Sequence, residues 1–99
     1  MPVTFTHYDL GELETGCVIE VTLEGSAANV QLLEHGSYEN FLAGKKEYRY
    51  IGGLVKKSPV RLRVPKDGRW HITVDLRGLA GTVKSSIRLF PASLPEMGK

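Results

Sequence analysis

Gly68-Arg-Trp-His-Ile-Thr-Val-Asp75 carries the clearest fold signal in the chain. Trp70, Ile72 and Val74 alternate with His71, Thr73 and Asp75. A period of two is that of a β-strand, whose successive side chains leave on opposite faces. One face of this segment therefore reads as core and the other as a polar surface.

The same alternation runs outward in both directions. Val60, Leu62 and Val64 alternate with Arg61 and Arg63, and Val83, Ser85, Ile87 and Leu89 alternate with Lys84, Ser86 and Arg88. Further upstream, Cys17, Ile19, Val21 and Leu23 fall on one side, with Glu20, Thr22 and Glu24 on the other. Runs with one apolar and one polar face are antiparallel strands lying on a shared core. The expected core is Trp70, Ile72, Val74, Ile19, Val21, Leu23, Leu62 and Ile87. Three shorter stretches, 3–8, 28–33 and 47–51, read as further strands, the last with Tyr48 and Tyr50 on one face.

Turn chemistry separates these runs. Lys66-Asp67-Gly68 follows Pro65 and predicts a tight reversal, hence a hairpin joining the Val64 strand to the Trp70 strand. Arg77-Gly-Leu-Ala-Gly81 connects the next two strands, while Gly25-Ser26 and Gly52-Gly53 end theirs. Residues 37–44 break the pattern: Ser37 offers an N-cap, Phe41 and Leu42 an apolar side, and Gly44 a stop. They predict one short helical turn, with a plain loop as the alternative. The tail 91–99, with Pro91 and Pro95, is expected to fray. The fold class that follows is all-β. We expect a single domain over 1–90, an antiparallel β-sandwich, jelly-roll-like in its order of elements, with about seven or eight strands.

Composition sets the broad class. A chain of 99 residues with 41% apolar and 24% charged content has the makeup of one soluble globular domain. Its single cysteine, Cys17, excludes an internal disulfide and sits in the apolar set, as a small core residue would. No signal peptide is visible at the start, and no apolar run approaches a membrane span, so a cytoplasmic location is expected. Charge, by contrast, is sorted. Seven acidic and no basic residues precede Lys45; from there, thirteen basic residues face four acidic ones. Such asymmetry can mark a charged binding surface.

Two groups of residues are candidates for a binding site. His71, Thr73 and Asp75 share a strand face, and a hairpin in simple register would bring Arg63 opposite His71 and Arg61 near Thr73. Two guanidiniums, an imidazole, a hydroxyl and a carboxylate on one face would grip a phosphate or carboxylate. The bland alternative is cross-strand ion pairing on a solvated sheet face. The second group is a loop containing Tyr50, Gly52, Gly53, Lys56 and Lys57, where paired glycines would let a ligand approach and the lysines would meet an anion. Its alternative is a glycine-ended strand leading into an exposed loop.

Catalytic signals are missing. There is no Gly-x-Ser-x-Gly elbow, and Cys17 is a poor thiolate in its apolar run. His7, His35 and His71 stand far apart without metal-ligand spacing, so no metal site and no cofactor are expected. Nucleic acid is the other partner to weigh, since Lys45, Lys46, Lys56, Lys57, Arg61, Arg63 and Arg69 are interleaved with Tyr48, Tyr50 and Trp70. Trp70, however, is in phase with the core, and the acidic half would repel phosphate.

Seven separated blocks also carry a resemblance: Phe5-Thr-His-Tyr-Asp-Leu-Gly11, Val18-Ile-Glu-Val-Thr-Leu23, Ala27-Ala-Asn-Val30, Tyr50-Ile-Gly-Gly53, Ser58-Pro-Val-Arg-Leu62, Val64-Pro65 and Gly68-Arg-Trp-His-Ile-Thr-Val-Asp75. In this order the chain resembles the small bacterial family called domain of unknown function 1883, from about Phe5 to Leu89. The resemblance implies a compact β-sandwich, alone or attached to modules such as Toll/interleukin-1 receptor-like signalling domains. It brings no activity and no catalytic residues. Together these readings give a non-catalytic interaction or sensing module that binds a protein or a small anionic ligand. The alternatives are a nucleic-acid-binding domain using the basic half, and a small hydrolase or lyase.

Overall fold

The strongly alternating segments are all strands in the computed structural model, which describes residues 5–76 and 81–91. In chain order the elements are β1 (Phe5–Leu13), β2 (Val18–Gly25), β3 (Ala28–Glu34), α1 (His35–Leu42), β4 (Ile51–Val55), β5 (Val60–Arg63), β6 (Gly68–Asp75) and β7 (Val83–Phe90). They form two antiparallel sheets, one in the order β1-β6-β3-β4 and one in the order β5-β2-β7. β1 lies beside β6 and β2 beside β7, so the beginning of the chain is matched with its end in both sheets.

The core fills the space between the sheets. Ile19 and Val21 of β2, Leu62 of β5 and the adjoining Val64 meet Val30 and Leu32 of β3 and Trp70, Ile72 and Val74 of β6. All are buried, and burying each aliphatic chain contributes about 1.5–3 kcal/mol over leaving it in water. Leu23 and Ile87 complete the layer, partly buried. Cys17 is buried there too, and burial pushes its thiol pKa up, with Glu14 adding to the rise. One polar tie crosses the core: the Tyr8 hydroxyl donates to the Ser85 carbonyl at 2.9 Å.

The expected β5–β6 hairpin does not form. β5 pairs with β2, from Val18↔Arg63 to Val21↔Val60, while β6 lies between β1 and β3. The connection therefore steps from one sheet to the other. Val64 is fully buried; its N–H donates to the Cys17 carbonyl and its own carbonyl accepts from Gly16 N–H, each at 2.8 Å. The Asp67 carboxylate accepts from the backbone N–H and the hydroxyl of Thr15, at 2.8 and 2.9 Å. The Pro-x-Asp-Gly stretch is thus clasped to residues 15–17 instead of folding back on itself. Stretch 47–51 is corrected as well. The chain is irregular over 45–50 and pairs with β3 only from Ile51.

Residues 37–44 do contain a helix, but it starts two residues earlier. α1 follows β3 directly, Glu34 occupies the N-cap without a side-chain bond, and Ser37 is inside the helix. Its end is well satisfied. Gly44 N–H donates to the Phe41 carbonyl at 3.1 Å and Lys45 N–H to the Asn40 carbonyl at 3.0 Å, with Gly44 at φ +77°. This is the paired closure that a left-handed glycine permits. Eight residues are too few to hold a helix alone, so packing must hold it. It packs on the side of β3 and β6 that faces away from the core. The expected connection at 77–81 and the tail at 92–99 lie largely outside the described residues.

Candidate functional site

The alternation of β6 correctly places His71, Thr73 and Asp75 on one face, but that face is interior. They are only 1%, 0% and 2% exposed. The neighbouring strand β3 supplies polar partners: Thr73 Oγ1 lies 3.5 Å from Gln31 Oε1, and Asn29 Nδ2 lies 3.4 Å from Asp75 Oδ1. Arg61 and Arg63 are not part of this group, because β5 belongs to the other sheet. The proposed five-residue anion grip is therefore corrected: its two guanidiniums and its buried β6 residues sit on different sheets.

What gathers on this face instead is every histidine the chain contains. β1 brings His7, β6 brings His71, and His35 opens α1. His7 Nε2 lies 2.9 Å from His71 Nδ1, and His71 Nε2 lies 3.0 Å from His35 Nδ1. The rings thus form a hydrogen-bonded series with the buried His71 in the middle. Tyr38 roofs it, its ring stacked 4.4 Å from His7 and 4.1 Å from His71. At the His35 end, Glu39 Oε2 is 3.5 Å from Nε2. Beside the central ring, a bulge between Asp9 and Gly11 turns Asp9 toward both Arg69 and His71. Bulges commonly re-aim a side chain in this way.

Proton counting limits what this series can hold. Each inter-ring hydrogen bond needs one proton, and three neutral imidazoles carry three, leaving one for an outer nitrogen. All the bonds then run in one direction, toward His35 or toward His7. A fourth proton fills the second outer nitrogen and leaves both bonds intact, with the positive charge able to sit on any of the three rings. A fifth must place two N–H groups nose to nose and break a bond. The series therefore takes up one proton without rearrangement and yields to the second.

Electrostatics act in the same sense. Burial pushes the His71 pKa down to about 4; Asp9 pulls it upward, while His7, His35 and Arg69 press it further down. The Arg69 hydrogen bond and the Gly11 N–H hold Asp9 at about 2, so its carboxylate persists beside the series. Tyr38 is raised by burial and by Asp9, which keeps the phenol neutral.

The loop candidates disperse. Gly52 and Gly53 lie inside β4, where a Cβ on Gly52 would run into the Val30 carbonyl; the glycine serves strand pairing. Lys56 and Lys57 are exposed in the turn beyond. Tyr50 lies on the chain leading into β4. The sorted charges are also largely reunited, since acidic β2 runs between the two basic strands. Glu20 Oε2 accepts from Arg61 Nη2 at 2.9 Å, Arg88 Nη1 stands 3.8 Å from Glu20 Oε1, and Glu24 faces Lys84 in register.

Sequence reading missed the histidines because it judged them by spacing along the chain. The signals present were the outward phase of His7 and His71 in their strands, and His35 with Tyr38 and Glu39 one helical turn on.

A family model described as domain of unknown function 1883 matches residues 3–93, which include all seven strands and α1. The chain belongs to this family. The histidine series of this member of the domain of unknown function 1883 family lies wholly inside the matched region. No curated protein and no solved structure matches the chain. Among the described residues, no helix is long and apolar enough to cross a membrane. Nor do any three or more His, Cys, Asp or Glu among them converge as metal ligands would.

Proposed function

We propose that this domain is a non-catalytic interaction or sensing module, and that the histidine series under α1 sets its response to protons. The observation that carries the reading is the series itself, with His71 buried at its centre and hydrogen-bonded on both sides. Histidine is the side chain whose charge ordinarily changes near physiological pH. Here the charge is tied to a short helix held by packing, which is the kind of element a small free-energy change can release. Among the described residues, the titratable and charged groups facing the series belong to the same account: His7 and Asp9 on β1, Arg69 on β6, and His35, Tyr38 and Glu39 on α1. A second proton breaks one inter-ring bond and adds a like charge beneath Tyr38. α1 then loosens, and the outer face of the four-stranded sheet opens to a partner.

Amide hydrogen exchange on the intact chain tests this, compared at about pH 7.5 and about pH 5 after correction for intrinsic rates. Protection of the α1 amides should fall at the lower pH while that of β2 and β7 persists, and His71→Gln should remove the difference. Equal α1 protection at both values, or a wild-type pH response in the variant, rejects the reading.

A further inference from the structure

We infer that a groove beside α1, separate from the histidine series, is a binding site for a small aromatic anion such as an aromatic carboxylate. The groove has a volume of roughly 390 Å³, within the range of about 300–1,000 Å³ usual for small-molecule sites. Leu32, Ile51, Pro65 and Trp70 give it an apolar lining, and Arg49, Lys66, Ser37, Glu34 and Tyr50 bring polar groups and an exposed ring to it.

The rim decides the sign of the ligand. Lys66 Nζ is matched by Glu34 Oε1 at 3.2 Å, so that pair is close to neutral. Arg49 has no ion-pair partner among the described residues, and its guanidinium adds an unbalanced positive charge to the groove. A guanidinium is a forked donor suited to a carboxylate or sulfonate. Ser37 Oγ accepts the Arg49 backbone N–H at 3.2 Å, which fixes the approach of this segment and leaves the hydroxyl proton to donate. The lining decides the body of the ligand. Trp70 Nε1–H donates to the Lys66 carbonyl at 3.1 Å, which locks the indole in place as a wall of the groove. A flat apolar ring can pack between that wall and the exposed Tyr50, with its acid group turned toward Arg49.

The chain has a single tryptophan, and it lines this groove, so its fluorescence reports directly on occupancy. The probe is anilinonaphthalenesulfonate, an aromatic anion, titrated against the intact chain. Its uncharged counterpart, N-phenylnaphthylamine, is the control. Saturable one-to-one quenching of Trp70 is expected. Arg49→Gln should weaken it about tenfold and Arg49→Glu more, as loss of a charged hydrogen bond and then charge reversal would. Because Arg49 is exposed, both variants should keep the wild-type melting temperature, which separates loss of binding from loss of folding. N-phenylnaphthylamine should bind at least about tenfold more weakly. The site is overturned by absence of saturable quenching up to about 1 mM probe, by wild-type affinity in Arg49→Glu, or by equal affinity for the uncharged probe.

Discussion

The ring of Tyr38 lies on that of His71 with centroids 4.1 Å apart and planes inclined by 15°. Together with the His35–His71 hydrogen bond, this contact joins the helix to the middle of the sheet, and Tyr38 is the buried residue of α1. Stacking needs the ring and not the hydroxyl, so Tyr38→Phe should change stability by no more than about 0.5 kcal/mol. Tyr38→Ala removes the roof of the histidine series and should cost about 2–4 kcal/mol. Chemical denaturation checks both. In the alanine variant, the α1 amides should also lose exchange protection ahead of β6.

The depressed pKa of His71 makes stability depend on pH in a defined window. The unfolded chain binds a proton at this residue near the ordinary histidine value of 6.5, whereas the folded chain does so only near 4. The unfolded state therefore holds more protons between these values. Stability should be fully present above about pH 6.5 and fall as pH drops toward 4, by about 3 kcal/mol in all. Asp9 and Asp67 also have lowered pKa values, so their contributions are lost only at more acidic pH. His71→Gln should flatten the curve between about pH 6.5 and pH 4. Urea midpoints measured at several pH values decide the point, and a parallel decline in variant and wild type would contradict it.

Two adjacent glycines separate close approach from mere backbone freedom. Gly52 has φ +120°, and a Cβ there would strike the Val30 carbonyl of the neighbouring strand. Gly53 has φ +143°, but nothing lies within 4 Å of its added Cβ. Both alanine substitutions carry backbone strain, on the order of 1–3 kcal/mol. Only Gly52→Ala also pushes β3 and β4 apart. Thermal melting should rank Gly52→Ala as clearly the more damaging, and equal effects would show that the contact is unimportant.

Much of the fold was legible because it rests on local pattern. The period of two in Cys17–Leu23, Val60–Val64 and Trp70–Val74 identified strands and the core face of each. Gly44 marked the end of the helix. Pairing was not legible, because it depends on which apolar faces meet across the core. A Pro-x-Asp-Gly stretch carries the local signature of a hairpin, yet Asp67 is bound by Thr15, some fifty positions away, and the chain changes sheet there. The candidate site failed for the same reason. His71 has an outward phase, but only tertiary structure shows that α1 covers it and that His7 and His35 converge on it. The sorted charges, too, acquire their meaning only from strand order.

Glu20 is where that order can be measured. It lies in register with Arg61 on one side and Arg88 on the other, and its side chain is 9% exposed while theirs are 67% and 72% exposed. The carboxylate is thus the enclosed partner, shielded by two arginines that remain largely in water. Removing it leaves two guanidiniums facing each other across a strand, whereas removing one arginine leaves the acid with the other. Glu20→Gln should therefore cost about 1–3 kcal/mol, and Arg88→Ala, at the longer 3.8 Å contact, less than about 1 kcal/mol. Arg61→Glu should be the worst of the three, since it sets two carboxylates side by side in register. Melting temperatures at low and high salt test the ranking. Added salt should narrow the gap between Arg61→Glu and the wild type, because screening weakens repulsion at an exposed position. If Arg61→Glu instead melted like the wild type, the β2–β5 charge pairing would contribute nothing to the fold, and the basic half would again be open to reading as a binding surface.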